Sequence, residues 1–549
     1  MDKQTLSERL SLLFSRRSVR FLSLGVSALL TGLCLVIPKI GLIEWLTLVP
    51  CMLFLLTVAP KRREEGGLRL RGLYVYGLFF FTCFYIVNFH WFVNLYPLDF
   101  IDGMTKGAAV AVVAVAWIGL SVFQAVQSAL TFVLAGLALR TRLCRRHGFL
   151  SPFVLGGLWV ICEWYQTVGW WGTPWGRLPL GQSEYLVGLQ TASLLGSYFV
   201  TFMLVVFNAL VAFVLLRQDK LRLGCAAAAT VLVFQYGVGT ALWLTNKDKG
   251  EPVRMAAIQG NISSHDKWSA DSTKKTLDVY AKYTSLASEE GAKVVVWPET
   301  ALPYTVEEGN YYYAYASSLA KKTGTVILVG AFSESEDEGE TREYNSIFCF
   351  LPDGTAHETV YSKRRLVPFG EFVPMRGLFE TVVPPLAELV MSGEDVLAGE
   401  GAQVFALDGE IGGNIGSLIC FDSIYEGLSR ESVLGGANII CLSTNDSWFT
   451  DSKALYMHNA QAQLRAIETD RYIVRSANTG ISTVINSRGE VIEALPPLVD
   501  GMAQSEVYLS DSTTLYSLVG NIFVYLWMLA VVLLLTFELY LRIRDRKSV

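Results

Sequence analysis

The run IGSLICFD, residues 415–422, decides the fold of the second half of this 549-residue chain. Its apolar part is typical of a buried strand that stops at Cys420, where a helix is expected to begin. A cysteine at such a junction can act as a nucleophile, because a helix N-terminus and nearby positive charges favour the thiolate. Taken alone, Cys420 could equally be a buried core thiol.

Two further motifs upstream add the other groups that a nucleophilic cysteine needs. The run VWPE, residues 296–299, puts Glu299 at the end of a β-rich segment, and YSKRRLVPFGE, residues 361–371, contains Lys363. Glu299 can act as general base and later as acid, provided burial raises its pKa toward the working pH. Lys363 can stabilise the oxyanion of a tetrahedral intermediate. Each motif alone is weak, but together they predict a complete acyl-transfer site.

The sequence around these motifs predicts a layered α/β domain, because short β-like runs alternate with helix-like ones. The predicted strands are 253–259, 293–297, 326–331, 346–351, 415–420, 438–443 and 472–476, followed by a hairpin around 486–489. The predicted helices are 272–290, 312–322, 426–434 and 456–470.

The composition of the whole chain predicts a membrane protein, since 52% of all residues are hydrophobic and only 17% are charged. About eight apolar runs are long enough to cross a bilayer. They are 21–38, 43–59, 73–93, 108–139, 152–165, 189–216, 223–244 and 518–541. A signal peptide is the alternative for the first run, but no small-residue cleavage site followed by a soluble domain is present.

Basic residues cluster in alternate connections, which the positive-inside rule assigns to the cytoplasm. The clusters lie within 9–20, 61–71, 140–146, 217–222 and 542–547. Both termini are therefore predicted to be cytoplasmic and the α/β segment periplasmic. The predicted domains are a seven-span bundle at 1–246, an external catalytic domain at 247–513, and a last span with a tail at 514–549. A net charge of −5 gives no sign of a nucleic-acid partner.

The segment Pro368–Val396 combines prolines with apolar residues that follow neither a strand nor a helix period. Such a loop is expected to pack on something other than its own domain, and the membrane surface is the prediction, with a buried irregular loop as the alternative. We expect it to be a mobile lid beside an acyl-chain entrance.

The order of the motifs, WPE, then YxKxxLVPFGE, then a strand-terminal cysteine, resembles the nitrilase superfamily. Seven spans before and one after the domain, with NDSWF at 445–449 and a helix at 458–471, resemble the apolipoprotein N-acyltransferase family within it. The resemblance implies a membrane helical bundle plus a four-layer αββα sandwich. It also implies that Glu299 is the base, Lys363 the oxyanion stabiliser and Cys420 the acylated nucleophile, with Glu371 in a supporting role.

Several further candidates come from the same resemblance. Asp422 is a supporting candidate, although the family usually has Cys-Tyr-Glu where this chain has Cys-Phe-Asp, so a hydroxyl and one methylene are missing. Trp448, Phe449 and Trp175 are candidate substrate-binding residues. Trp175 belongs to the turn GTPW, residues 172–175, for which a structural role is the alternative.

The function implied is transfer of a fatty acyl group from a membrane phospholipid, through a cysteine thioester, to the N-terminal amine of a diacylglyceryl-cysteine lipoprotein. No cofactor or metal is expected, and a monomer in the bacterial inner membrane is predicted. A membrane-tethered amidase or nitrile-hydrolysing enzyme that uses the same three residues with water as final acceptor is one alternative. A transporter or lipid-binding protein with an inactive nitrilase domain is another, disfavoured by the intact Glu299, Lys363 and Cys420.

Overall fold

The computed structural model describes residues 6–547 except 63–64, 99–103, 249–251, 264–266, 268–269, 338–339, 383–394 and 410. The chain divides into two compact units. The membrane unit comprises Met1–Tyr96, Thr105–Thr245 and Val519–Val549, and the α/β unit comprises Pro97–Met104 and Asn246–Leu518.

Within the described residues, eight helical segments are long and apolar enough to cross a membrane, as the sequence predicts, so the chain is a multi-pass membrane protein. They are Arg17–Val36, Pro38–Val58, Leu70–Asn88, Lys106–Leu139, Gly148–Tyr165, Ser197–Leu216, Gln218–Thr245 and Ile522–Lys547. Shorter helices are Leu6–Leu13, Arg142–Arg146, Leu186–Leu189, Ala192–Leu195 and Leu515–Val519.

The observed bounds differ from the predicted ones by a few residues in every span, and the sixth and eighth spans show why. The sixth begins at Ser197 rather than at 189, because Gly196 adopts a backbone angle φ of +78° that interrupts the helix and that favours glycine. The eighth begins at Ile522 and continues into the basic tail to Lys547. An ion pair between Arg542 and Glu538, one turn apart at 2.8 Å, supports this extension.

The α/β unit contains two six-stranded sheets. Their strands are β1 Pro252–Gln259, β2 Val294–Val296, β3 Val326–Asp337, β4 Glu340–Phe350, β5 Tyr361–Ser362, β6 Val404–Leu407, β7 Gly413–Ile419, β8 Ile439–Thr444, β9 Ile473–Ala477, β10 Thr483–Ile485, β11 Val491–Ala494 and β12 Gly501–Tyr508. In the first sheet, ordered β12-β1-β2-β3-β4-β5, strands β1 to β3 are parallel and the others antiparallel. In the second, ordered β11-β10-β9-β8-β7-β6, strands β7 to β9 are parallel and the others antiparallel.

The layers follow from two apolar cores. One core joins side chains of both sheets, including Val296 from β2 and Ile419 from β7. The other lies between the first sheet and the helices Ala270–Glu289 and Tyr311–Thr323. Helices Glu426–Leu434 and Lys453–Thr469 pack against the second sheet. This is the predicted four-layer αββα sandwich.

The proline-rich segment 368–396 is described only at its two ends, and the centre of the predicted lid, 383–394, lies outside the described residues. A short helix spans Arg376–Val382, and both Met375, just before it, and Leu378, within it, are exposed. The two ends are joined because Arg376 forms an ion pair with Asp395, whose carboxylate also accepts from the Val373 N–H at 3.0 Å. The lid therefore stays a prediction.

Candidate active site

Cys420 stands at the end of β7, where the chain turns into a single 3₁₀ turn, Cys420–Ile424, before the helix Glu426–Leu434. Its φ angle of +47° lies in the left-handed region, which is disfavoured for residues with a side chain. The Ser423 hydroxyl donates to the Cys420 carbonyl oxygen at 2.8 Å. The cysteine is therefore held in a sharp turn, and its thiol packs at the edge of the core between the sheets.

Glu299 lies three residues beyond the end of β2 and is buried. Its Oε1 accepts from Asn345 Nδ2 at 2.7 Å and from Lys363 Nζ at 2.9 Å, and its Oε2 accepts from the Asn445 N–H at 2.8 Å. The preceding turn passes close to β3, since a Cβ added to Gly330 would lie 2.2 Å from the Pro298 carbonyl oxygen. These three donors and the turn together fix the carboxylate in one orientation.

Lys363 follows directly on β5 and is almost completely buried. Its ammonium donates to Oε1 of Glu299 and to Oε1 of Glu371, each at 2.9 Å. The other oxygen of Glu371 accepts from the Val367 N–H at 2.8 Å. Glu371 thus lies beside Lys363, the place that a supporting acidic group would occupy.

The electrostatics of the site differ from the sequence expectation for two groups. Burial favours the neutral form of Glu299, but the charges of Lys363 and Lys267 and the Asn345 hydrogen bond outweigh it and lower the pKa of Glu299. Burial and the charge of Glu299 raise the pKa of the Cys420 thiol, with Lys363 opposing. Burial therefore acts on Glu299 in the direction that the sequence suggests, but the cations beside it reverse the net shift, and for Cys420 the net shift opposes a thiolate.

Glu299 and Lys363 are joined by a hydrogen bond of 2.9 Å, and their charges act in opposite directions on the pKa of the Cys420 thiol.

Asp422 is fully buried under the turn. Its two oxygens accept from the Tyr361 hydroxyl at 2.7 Å and from three backbone N–H groups, of Arg364, Arg365 and Ile419, at 2.8–3.2 Å. Burial, outweighing these bonds, raises its pKa to about 6. Asp422 therefore ties the turn that carries Lys363 to the turn that carries Cys420, and its contacts support the two motifs.

The aromatic candidates lie in different units. Trp448 and Phe449 belong to the short turn Asp446–Phe449 after β8, and the Phe449 ring lies edge-on to His458 at 6.5 Å. Trp175 is in the membrane unit, is buried and packs on Trp91 at 5.5 Å between ring centroids. Their predicted contacts with substrate stay predictions.

Sequence reasoning missed two groups of the site. Asn345 in β4 shares a face with Ile347 and Cys349 and is buried like them. Period-two alternation could have revealed it as a polar residue facing inward. Lys267 is buried and donates to the Glu299 carbonyl oxygen at 3.0 Å and to the Thr300 hydroxyl, and burial lowers its pKa to about 7. No periodicity marks it.

Comparison with known proteins shows which families the chain resembles. A family model described as carbon-nitrogen hydrolase matches residues 254–516, and one described as apolipoprotein N-acyltransferase N-terminal domain matches residues 27–210. The apolipoprotein N-acyltransferase of Gloeobacter violaceus is 31% identical over 88% of this chain and 87% of its own length. That of Geobacter metallireducens is 32% identical over 67% and 70%. Among solved structures, Saccharomyces cerevisiae Nit3, of the nitrilase superfamily, aligns with 47% of this chain and 91% of its own at 18% identity and a TM-score of 0.37.

Proposed function

This chain belongs to the apolipoprotein N-acyltransferase family, and we propose that Cys420 carries the acyl group that the enzyme transfers to a lipoprotein. The donor is a membrane phospholipid and the acceptor is the α-amine of a diacylglyceryl-cysteine at a lipoprotein N-terminus. The observation that carries the proposal is the buried Lys363–Glu299 pair, which acts electrostatically on the thiol of Cys420.

In the first half-reaction the Sγ of Cys420 attacks the ester carbonyl carbon of the phospholipid while its proton passes to Glu299. The negative charge that develops on the carbonyl oxygen is stabilised by the ammonium of Lys363. Such a donor lowers the activation barrier by about 3 kcal/mol. The ester C–O bond then breaks, and Glu299 returns its proton to the departing glycerol oxygen. Lysophospholipid leaves and a thioester remains on Cys420.

In the second half-reaction the acceptor amine attacks the thioester carbon. Glu299 takes a proton from the nitrogen and gives it to the sulfur as the C–S bond breaks. The products are an amide and the resting thiol, so the exchange needs no cofactor. Glu371 and Asn345 keep Lys363 and Glu299 in place through both steps, through their bonds to Lys363 Nζ and to Glu299 Oε1.

A membrane setting suits this chemistry, because each CH₂ group buried in the bilayer stabilises an acyl chain by about 0.8 kcal/mol. Long-chain substrates are therefore best met by an enzyme fixed beside the bilayer, and the eight apolar helices provide that attachment. The alternate basic clusters favour an inner-membrane orientation with both termini in the cytoplasm and the α/β unit in the periplasm. The protein acts as a monomer in this proposal.

The test follows the acyl group. Purified protein in detergent is incubated with a phospholipid that carries a labelled acyl chain, with and without a diacylglyceryl-cysteine peptide, and intact-mass and peptide spectra are recorded. We expect label on Cys420 that moves to the peptide α-amine when the peptide is added. Cys420→Ala should abolish both signals, whereas Cys225→Ala, at an exposed cysteine of the membrane unit, should leave them unchanged.

Two outcomes would contradict the proposal. Free fatty acid with no labelled peptide would make the protein a lipid hydrolase that uses water as acceptor. Label transferred to the peptide by the Cys420→Ala variant would show that another group is the nucleophile.

A further inference from the structure

A fully buried charged cluster lies directly behind Cys420 and takes no part in the mechanism above. It consists of Asp446 from the turn after β8, His458 from the helix Lys453–Thr469 and Arg475 from β9. His458 Nδ1 lies 3.0 Å from Asp446 Oδ1, and Arg475 Nη2 donates to Asp446 Oδ2 at 2.6 Å and lies 3.2 Å from His458 Nδ1. Three separate elements therefore meet at one imidazole.

The other side of the imidazole faces the backbone of the nucleophile. His458 Nε2 lies 3.2 Å from the Cys420 carbonyl oxygen and 3.0 Å from the Ser423 hydroxyl, which itself donates to that carbonyl. A carbonyl oxygen only accepts, so this contact requires the proton on Nε2. Asp446 and Arg475 hold the ring in the position from which Nε2 reaches the carbonyl.

Cys420 needs such a support because its left-handed backbone conformation persists only where the surroundings hold it. The peptide group between Cys420 and Phe421 is planar, so a carbonyl anchored toward His458 turns the Phe421 N–H to the opposite side. The direction of the Cys420 side chain depends on the same dihedral angles. Anchoring one oxygen thus fixes the nucleophile and the N–H that follows it.

The same cluster is also connected through the backbone to Glu299, the predicted base. Asp446 directly follows Asn445, whose N–H donates to Glu299 Oε2, and the Thr444 hydroxyl donates to Asp446 Oδ1 at 2.9 Å. A Cβ added to Gly480 would lie 2.4 Å from Asp446 Oδ2, so the chain closes tightly around this carboxylate. Glu299 and Cys420 are therefore anchored to neighbouring points of one network.

We propose that His458, held by Asp446 and Arg475, is a positioning residue that orients Cys420 for acylation through the Cys420 carbonyl oxygen. The proposal rests on Cys420 being the acylated nucleophile. His458 does not touch the substrate, and its removal should slow the acylation step without weakening the binding of phospholipid.

The test is single-turnover acylation of the full-length protein in detergent by a phospholipid with one labelled palmitoyl chain, measured as thioester on Cys420 over a range of lipid concentrations. His458→Gln keeps an N–H near the position of Nε2, whereas the shorter His458→Asn leaves the carbonyl without this donor. We expect His458→Asn to lower the maximal acylation rate by at least about tenfold, while the half-saturating lipid concentration stays within about twofold. His458→Gln should restore the rate to within about threefold of the unsubstituted protein.

Equal rates for His458→Asn and the unsubstituted protein would overturn the proposal, as would equal losses in the Asn and Gln variants, which would indicate packing alone. If the Asn variant does not fold, Ser423→Ala removes the other donor to the same carbonyl, and an unchanged acylation rate in that variant overturns the proposal too. Failure of the underlying function looks different, because the unsubstituted protein would then form no thioester at Cys420.

Discussion

The two sheets of the α/β unit contribute to the site in different ways. The first sheet supplies charge, since Glu299, Asn345 and Lys363 follow or lie within β2, β4 and β5 and are joined by hydrogen bonds of 2.7–2.9 Å. The second sheet supplies backbone geometry, since β7 is followed by Cys420, whose φ angle is +47°, and β8 is followed by Asn445, whose N–H donates to Glu299. Substitutions in the first sheet should therefore change proton transfer and charge stabilisation, and those in the second should change alignment.

Lys363→Met should produce the largest effect. It removes the ammonium that lies 2.9 Å from the buried carboxylate of Glu299 and 2.9 Å from the partly buried carboxylate of Glu371. We expect acylation of Cys420 to fall about 10²- to 10³-fold or more, since an oxyanion donor is lost and the pKa of Glu299 rises. Breaking a buried pair should also lower the free energy of unfolding by about 3–5 kcal/mol.

The measurement is the single-turnover rate together with thermal unfolding followed by tryptophan fluorescence. Lys321→Met, at an exposed lysine of the helix Tyr311–Thr323, is the matched control and should change neither. An acylation rate within tenfold of the unsubstituted protein would show that charge is not the main contribution of the first sheet.

Lys267→Met tests whether the positive charge near Glu299 depends on pH. Burial lowers the pKa of Lys267 to about 7, well below the value of about 10.4 expected in the unfolded chain. Between these two values the unfolded state holds a proton that the folded state lacks, so this group makes the folded state more stable as the pH rises. The melting temperature of the unsubstituted protein relative to Lys267→Met should therefore increase from about pH 7 to about pH 10.

The control is again Lys321→Met, whose difference in melting temperature from the unsubstituted protein should not vary with pH. A constant difference for Lys267→Met would mean that Lys267 stays protonated in the folded state throughout. Lys267 and Lys363 would then both be permanent cations near Glu299.

The sequence predicts the central strands and the motifs at their ends, because β1, β2, β7, β8 and β9 are rich in apolar residues and mostly buried. It misses β5, which has only two residues, and β6 and β12, which lie at the sheet edges and are only partly buried. Local pattern does not determine how strongly a buried carboxylate is paired. The net direction of the pKa shift of Glu299 depends on Lys363, which is 64 residues away in sequence.

Ser443→Ala should have the smallest effect, and it tests whether the two sheets act independently. The Ser443 hydroxyl in β8 donates to the Trp297 carbonyl oxygen, after β2, at 2.8 Å, and both residues are buried. Loss of this neutral hydrogen bond should lower the free energy of unfolding by about 1 kcal/mol. We expect the acylation rate to change less than about twofold, because neither group bonds the thiol or the Lys363–Glu299 pair.

Ser335→Ala, at an exposed position of β3, is the matched control for Ser443→Ala. A loss of acylation in Ser443→Ala as large as that in Lys363→Met would mean that alignment between the sheets, and not charge, limits the reaction.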